Sequence, residues 1–460
     1  MLLFILGVAV IVVGLAVSIG LHEIGHLVPA KLFGVKVTQY MIGFGPTLWS
    51  KKKGETEYGF KAIPLGGYIS MIGMFPPKNG GAVQSASTGF FDTLVQEGAP
   101  EKRADDKRPG AMATMVDDAR QASADTIGEG EQHRAFYTLP VYKRIIIMLG
   151  GPTMNLLIAI VMFAILLMGF GTTQTSTTVG SVSSCVLPAT SERQSCESGD
   201  EAAPGAAAGL RPGDRFVSIN GTAITSWSQS TQIIRDAPGR ALPVVVDRAG
   251  TDVSLTITPK LTERFVLDSS GDVVTDTAGN QVTEKVGFVG IGAAGELVRQ
   301  PVTSVMPAVG DTIASTAGII IHLPQRLVDV ANAAFGPGER DPNGPMSMVG
   351  VGRVAGEIAS IDTIPVASKI ATMVGILGSV NIALFVFNLV PLLPLDGGHV
   401  AGALWEGIRR AFAKLFRRPE PGPVDMAKLM PLTLAVVVLL GGMSLLLMYA
   451  DIVKPVNLFG

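Results

Sequence analysis

The stretch "GLHEIGHLVPA" (residues 20–30) follows "MLLFILGVAVIVVGLAVSI" (residues 1–19), which carries no charged side chain. An apolar run of this length is long enough to cross a bilayer core of roughly 30 Å at about 1.5 Å per residue. It ends in two histidines and a glutamate, His22, Glu23 and His26. Ionisable groups at membrane depth are costly, and they mark functional sites. Residues four apart on a helix share a face, so both imidazoles can reach one metal ion. Glu23, beside them, has the placement of a general base toward a water activated by that metal.

The composition agrees with a membrane protein. Of 460 residues, 47% are hydrophobic and only 16% are charged, against about a quarter in soluble domains. A net charge of -2 and the lack of a basic arm give no footing for nucleic acid. The N-terminal run lacks a charged leader and a small-residue cleavage site, so a retained helix is expected rather than a signal peptide. Three more segments read as spans: 144–171, 368–400 and 430–450. The stretch 306–324 holds Asp311 and His322 in a shorter apolar run and is expected to form an amphipathic surface helix.

Four spans set a topology. Lys31, Lys36, the "KKK" at 51–53 and "IRRAFAKLFRR" at 408–418 place 31–143 and 401–429 in the cytoplasm by the positive-inside rule. Both termini and 172–367 then face outward. Within the first cytoplasmic loop, 78–132 is rich in Gly, Ser, Asp and Glu and is expected to be largely flexible. The outward region carries both cysteines, Cys185 and Cys196. An oxidising exterior permits them to pair, but spacing alone does not decide it. In "PGAAAGLRPGDRFVSINGTAI" (204–224), a short helical turn and a Pro-Gly turn lead into an alternating strand that ends at Asn-Gly. Two further strands follow, then a polar hairpin at 269–287. The pattern resembles a PDZ domain over 172–300, a module that grips extended peptides by strand addition; a spacer that binds nothing is the alternative. Residues 301–367 are expected to link it to the next span.

A zinc site needs a third protein ligand and an open position. The candidate lies in "FNLVPLLPLDGGH" (387–399), where Asp396 follows two helix-breaking prolines, Pro391 and Pro394, and precedes Gly397 and Gly398. The first and third spans run the same way, so His22 and Asp396 emerge at similar depth. A true span at 306–324 would put Asp396 on the opposite side. His399 is the rival third ligand.

HExxH in the first span and NxxPxPxxDG in the third resemble the site-2 protease family of intramembrane zinc metalloproteases, in its bacterial branch with an extracytoplasmic PDZ domain. "GFGPTLWSKKKGETEYGFKAIPLGGYISMIG" (43–73) resembles that family's membrane-associated β region. "LPVYKRIIIMLGGPTMN" (139–155) and "GPMSMVGVGR" (344–353) resemble its flanks to the second and third spans. The resemblance implies zinc held by His22, His26 and Asp396, Glu23 as catalytic acid/base, and Asn388 in substrate binding. It also implies single-span membrane substrates already trimmed outside by a site-1 type protease, with anti-sigma factors first and remnant signal peptides second. One PDZ-like domain is found where the best-known members have two.

The expected fold is an α-helical polytopic membrane protein of about four transmembrane helices, with a membrane-associated β region and one extracytoplasmic PDZ-like β-rich domain. Strands over about 58–72 can offer an edge to an unwound substrate; a plain amphipathic loop is the alternative. Asn155 and Asn388 can each bond an unwound backbone or a developing oxyanion, or else only join two helices. Two other classes compete: an ion-coupled transporter, which predicts inverted repeats that the sequence lacks, and a catalytically dead PDZ scaffold, which the intact HExxH disfavours.

Overall fold

The computed structural model describes residues 1–75, 85–87, 130–187, 196–197, 199–266, 273–276, 281–336, 340–341, 344–362 and 364–455. Most of the segment expected to be flexible, 78–132, lies outside them. The chain forms two units, one made of Met1–Phe170 and Pro301–Gly460, the other of Gly171–Gln300.

The first unit is helical around a β hairpin. Helix α1 (Leu2–Leu32) carries HExxH in its last third. It is followed by β1 (Val37–Lys53) and β2 (Thr56–Ile72), an antiparallel pair whose outer edge takes up β3 (Ser85–Ser87). The base of the hairpin packs on α1 and on the start of α2 (Val141–Ala164), through Leu27, Val37, Tyr40, Ile69, Met71, Ile147 and Met148. The Tyr40 hydroxyl donates to the Gly20 carbonyl at 2.8 Å, which fixes β1 just before the metal motif.

Glycine sets how near α1 and α2 come. A Cβ at Gly25 would lie 2.3 Å from the Gly150 carbonyl oxygen, and one at Gly150 would lie 2.0 Å from that of Gly25. No side chain fits in so close a crossing, and small residues at such points are a familiar feature of helix packing in membranes.

Helices α3 (Val305–Ile321), α4 (Leu323–Phe335) and α5 (Met348–Ser360) lead into α6 (Val366–Asn388). Helix α5 lies on the first half of α1, where Ile11 and Leu15 meet Val354, Ala355 and Ile358. Helix α3, over the stretch expected to be an amphipathic surface helix, has one packed and one outer face. Val305 and Val309 enter an apolar cluster with Ala159, Phe163, Leu167 and Ile382 from α2 and α6, while Asp311 stays exposed. With the turn before it, Val302–Ile321 is one of five helices among the described residues long and apolar enough to cross a membrane. The single charge at Asp311 sits on its outer face and leaves the packed face apolar.

The segment expected as one span over 368–400 divides in two. Helix α6 ends at Asn388, and α7 (Asp396–Leu415) begins at the aspartate itself. Pro391 and Pro394 interrupt the backbone ladder between them. Gly397 and Gly398 are required by close approach. A Cβ at Gly397 would meet the Leu389 and Val390 carbonyl oxygens at 2.4 Å each, and one at Gly398 the Leu393 nitrogen at 2.6 Å. Helix α7 is tied to α2 by a buried ion pair, Arg144 with Glu406, and Glu406 also accepts from the Val424 N–H at 3.0 Å. The last helix, α8 (Met430–Val453), buries Asp451 against Arg340.

The second unit is β-rich. Its main sheet runs in the order β11 (Ile291–Val298), β4 (Thr172–Val182), β5 (Arg215–Ile219), β7 (Leu242–Arg248), β8 (Thr251–Ile257), with β6 (Thr222–Ala223) paired to β5. Strands β9 (Lys260–Phe265) and β10 (Thr283–Phe288) form a separate hairpin. Val179, Phe216, Ile219, Val244, Val246, Ile257 and Ile234 of the helix Trp227–Arg235 make its core. The expected Asn-Gly turn is present, with φ of 51° at Asn220 and 75° at Gly221. Cys185 and Cys196 are joined in a disulfide, with Cα atoms 5.9 Å apart.

Candidate metal centre

The HExxH turn lies where α1 crosses α2 and meets the start of α7. His22 Nε2 and His26 Nε2 are 3.2 Å apart. Asp396 Oδ2 lies 3.4 Å from the first and 3.3 Å from the second. Three donors on two distant parts of the chain thus form a nearly equilateral triangle. Ligands about 2.0–2.1 Å from a tetrahedral zinc ion stand about 3.3–3.4 Å from one another, so the triangle has the size of one face of that tetrahedron. Asp396 Oδ2 is buried with no hydrogen-bond partner among the described residues, which fits a cation ligand. His22, His26 and Asp396 form the one cluster of this kind among the described residues, and His399 is not part of it.

Each imidazole is held from behind by α2. His26 Nδ1 faces the Ile147 carbonyl oxygen at 2.7 Å, so Nδ1 carries the proton and Nε2 offers its lone pair to the centre. His22 Nδ1 lies 3.1 Å from the side-chain amide of Asn155. Gly151 leaves room in front of them: a Cβ there would lie 2.2 Å from His26 Nε2 and 2.7 Å from His22 Nε2.

Glu23 is buried beside these donors. Its carboxylate accepts a hydrogen bond from the Ile69 backbone N–H of β2, while Oε2 has no hydrogen-bond partner among the described residues. A Cβ at Gly67 would touch Glu23 Cγ at 3.1 Å, so β2 runs directly along the acid.

A family model described as Peptidase family M50 matches residues 10–418. This chain belongs to peptidase family M50, the site-2 protease family. It is 32% identical to zinc metalloprotease Rip1 of Mycobacterium tuberculosis over the whole of both chains. It is 31% identical to zinc metalloprotease Rip1 of Mycolicibacterium smegmatis, again over both full lengths. To metalloprotease MmpA of Caulobacter vibrioides it is 27% identical, over 86% of this chain and 85% of that one. The chain is accordingly a zinc metalloprotease and a multi-pass membrane protein.

Within this M50 site the structure gathers His22, Glu23, His26, Asp396 and Asn155. Asn388 stands apart from that list as the final, partly exposed residue of α6. Sequence reasoning passed over Gly151, the Ile147 carbonyl and the Arg144–Glu406 pair. It also missed Asn381, whose buried amide donates to Ser18 Oγ at 2.9 Å one turn before His22. The Gly-Gly pair at 150–151 inside an apolar helix was the available signal, since adjacent glycines there invite a close crossing.

Proposed function

We propose that this chain cuts the transmembrane segments of single-span membrane proteins inside the bilayer, with zinc held by His22, His26 and Asp396. The observation that carries the reading is Glu23. It is a buried acid with one free carboxylate oxygen next to three converging donors, and its other contact is to a strand backbone.

Held by His22, His26 and Asp396, a zinc ion would supply Lewis acidity toward a water and the scissile carbonyl. Glu23 takes the proton from that water at Oε2 and delivers it to the leaving amine. The Ile69 N–H steadies the carboxylate without occupying the oxygen that moves the proton. A substrate helix hides its peptide bonds in i to i−4 hydrogen bonds and must unwind to be cut. Strand β2 supports a way to hold it extended. Its outer edge already pairs with Ser85–Ser87 at Ser70–Ile72, and the preceding residues Gly67–Ile69 flank Glu23. Asn388, the last residue of α6, would bond the unwound substrate backbone in this reading.

In this account the second unit is a PDZ-like domain outside the cell, and the disulfide Cys185–Cys196 favours an oxidising exterior for it. The active site then sits near the cytoplasmic face. Asp396 reaches the histidines of α1, which requires an even number of crossings between α2 and α6 if helix Val302–Ile321 spans at all. Substrates would arrive as stubs already trimmed outside by a site-1 type protease, anti-sigma factors first and remnant signal peptides second. The test is a membrane proteome from cells carrying Glu23→Gln. Single-span stubs should accumulate there and disappear on return of the wild-type chain; an unchanged set of stubs contradicts the proposal.

A further inference from the structure

The side chain of Asn155 is fully buried in the middle of α2. One end of its amide faces His22 Nδ1 at 3.1 Å, and the Oδ1 end has no partner among the described residues. The hydrogen-bond network around a buried carboxamide decides which of its two ends faces which neighbour. Here the network is set by His22. Its Nε2 points at His26 Nε2 and Asp396 Oδ2, and a nitrogen that serves as a metal ligand carries no proton. The proton of the neutral ring therefore sits on Nδ1, which needs an acceptor. Among the described residues the Asn155 amide is the group that faces Nδ1, and only its oxygen end accepts, so the amide turns Oδ1 toward the ring.

Either way round, one end of the amide stays buried without a partner, at a cost that an apolar residue would escape. Joining two helices does not call for this residue, because α1 and α2 already meet through Gly25, Gly150 and Gly151. The companion ring supports the same logic: His26 is oriented from the same helix by the Ile147 carbonyl, two turns earlier. Helix α2 also grips α7, which begins at Asp396, through Arg144 and Glu406.

We propose that Asn155 is a positioning residue for the metal centre: its side-chain oxygen accepts the His22 Nδ1 proton and so fixes the ring with Nε2 toward the zinc, rather than binding substrate. This rests on His22 being a ligand, and the experiment separates the two claims. Purified full-length protein in detergent is stripped of metal and titrated with zinc against a competing chelator. Wild type, His22→Ala, Asn155→Leu and Asn155→Asp are compared, with the thermal unfolding of each apo form as a folding control.

Asn155→Leu is expected to bind zinc about 10–100-fold more weakly, the usual effect of removing such an outer partner. Its apo form should unfold no earlier than wild type. Asn155→Asp has acceptors only, so it should bind zinc close to wild type if the oxygen faces the ring. Wild-type zinc affinity in Asn155→Leu, with or without loss of cleavage, overturns the proposal, and lost cleavage in that case would give the amide to the substrate. Weak binding in Asn155→Asp equal to that of Asn155→Leu overturns the acceptor role. Wild-type affinity in His22→Ala would instead bring down the ligand assignment on which the proposal stands.

Discussion

Gly151→Ala adds one methyl group directly against the two imidazoles of the metal motif. The new carbon would lie 2.2 Å from His26 Nε2 and 2.7 Å from His22 Nε2. A relaxed contact needs about 3.5 Å, so the overlaps are about 1.3 Å and 0.8 Å. The helix cannot slide to relieve them, because Gly150 already presses on the Gly25 carbonyl. If α2 instead backs away by about 1.3 Å, the 3.1 Å contact of Asn155 with His22 and the 2.7 Å contact of Ile147 with His26 both open toward 4 Å or beyond. Misplacement of reacting groups by about 1 Å can cost 10²-fold in rate. Gly151→Ala should therefore lose most of its zinc, and cleavage of a model transmembrane substrate should fall by about 10²-fold or more. Metal content by mass spectrometry and cleavage in detergent are read on the same preparation. Gly441→Ala in α8 is the control: a Cβ there meets nothing within 4 Å, so neither quantity should change. Full zinc and full activity in Gly151→Ala would refute the argument that the α1–α2 crossing holds the metal centre.

Three further outcomes follow from the same geometry. Asp396→Ala should lose zinc and activity together, whereas His399→Ala should keep the metal; metal analysis of both variants decides it. Arg144→Met leaves Glu406 buried with Arg410, at 2.9 Å, as its one charged partner among the described residues; stability should drop by about 3 kcal/mol, and pairing it with Glu406→Gln should recover much of the loss in thermal unfolding. In the second unit, Asp214 is held below the usual carboxylate range chiefly by the Arg248 guanidinium, with contacts of 2.7 and 2.8 Å. Because its folded value is the lower one, this contribution to stability is complete above the ordinary aspartate range and fades as pH falls through the folded value. Amide protection factors in β5 and β7, taken relative to the intrinsic exchange rate at each pH, should fall in acid for wild type, and those of Asp214→Asn should be lower already at neutral pH with a flatter acid response.

What the sequence makes legible here is what one short segment encodes alone. HExxH places two imidazoles on one helix face by periodicity. The prolines and glycines around Asp396 announce a break followed by a tight turn, and Asn220–Gly221 announces a hairpin. Asp396 could be paired with His22 and His26 because span counting puts both ends at one depth. The partners behind the ligands are harder to read. Ile147 and Asn155 meet His26 and His22 across 121 and 133 residues, through a helix crossing whose rotation no local pattern reveals. Asn381 and Ser18 meet across 363. The stretch 306–324 reads as amphipathic from Asp311 and His322, but the sequence does not say what its apolar face meets; Val305 and Val309, one turn apart, seat it on α2 and α6. The pairing of Cys185 with Cys196 likewise depends on backbone positions that their spacing leaves open.

The central claim is that Glu23 moves the proton and does not hold the metal. Glu23→Gln keeps the size and a polar tip but cannot accept a proton at the attacking water. In purified full-length protein, this variant should retain wild-type zinc content and cleave a defined transmembrane substrate about 10²–10⁴-fold more slowly. Cleavage by Glu23→Gln at a rate near wild type, with contaminating protease excluded, would contradict the account.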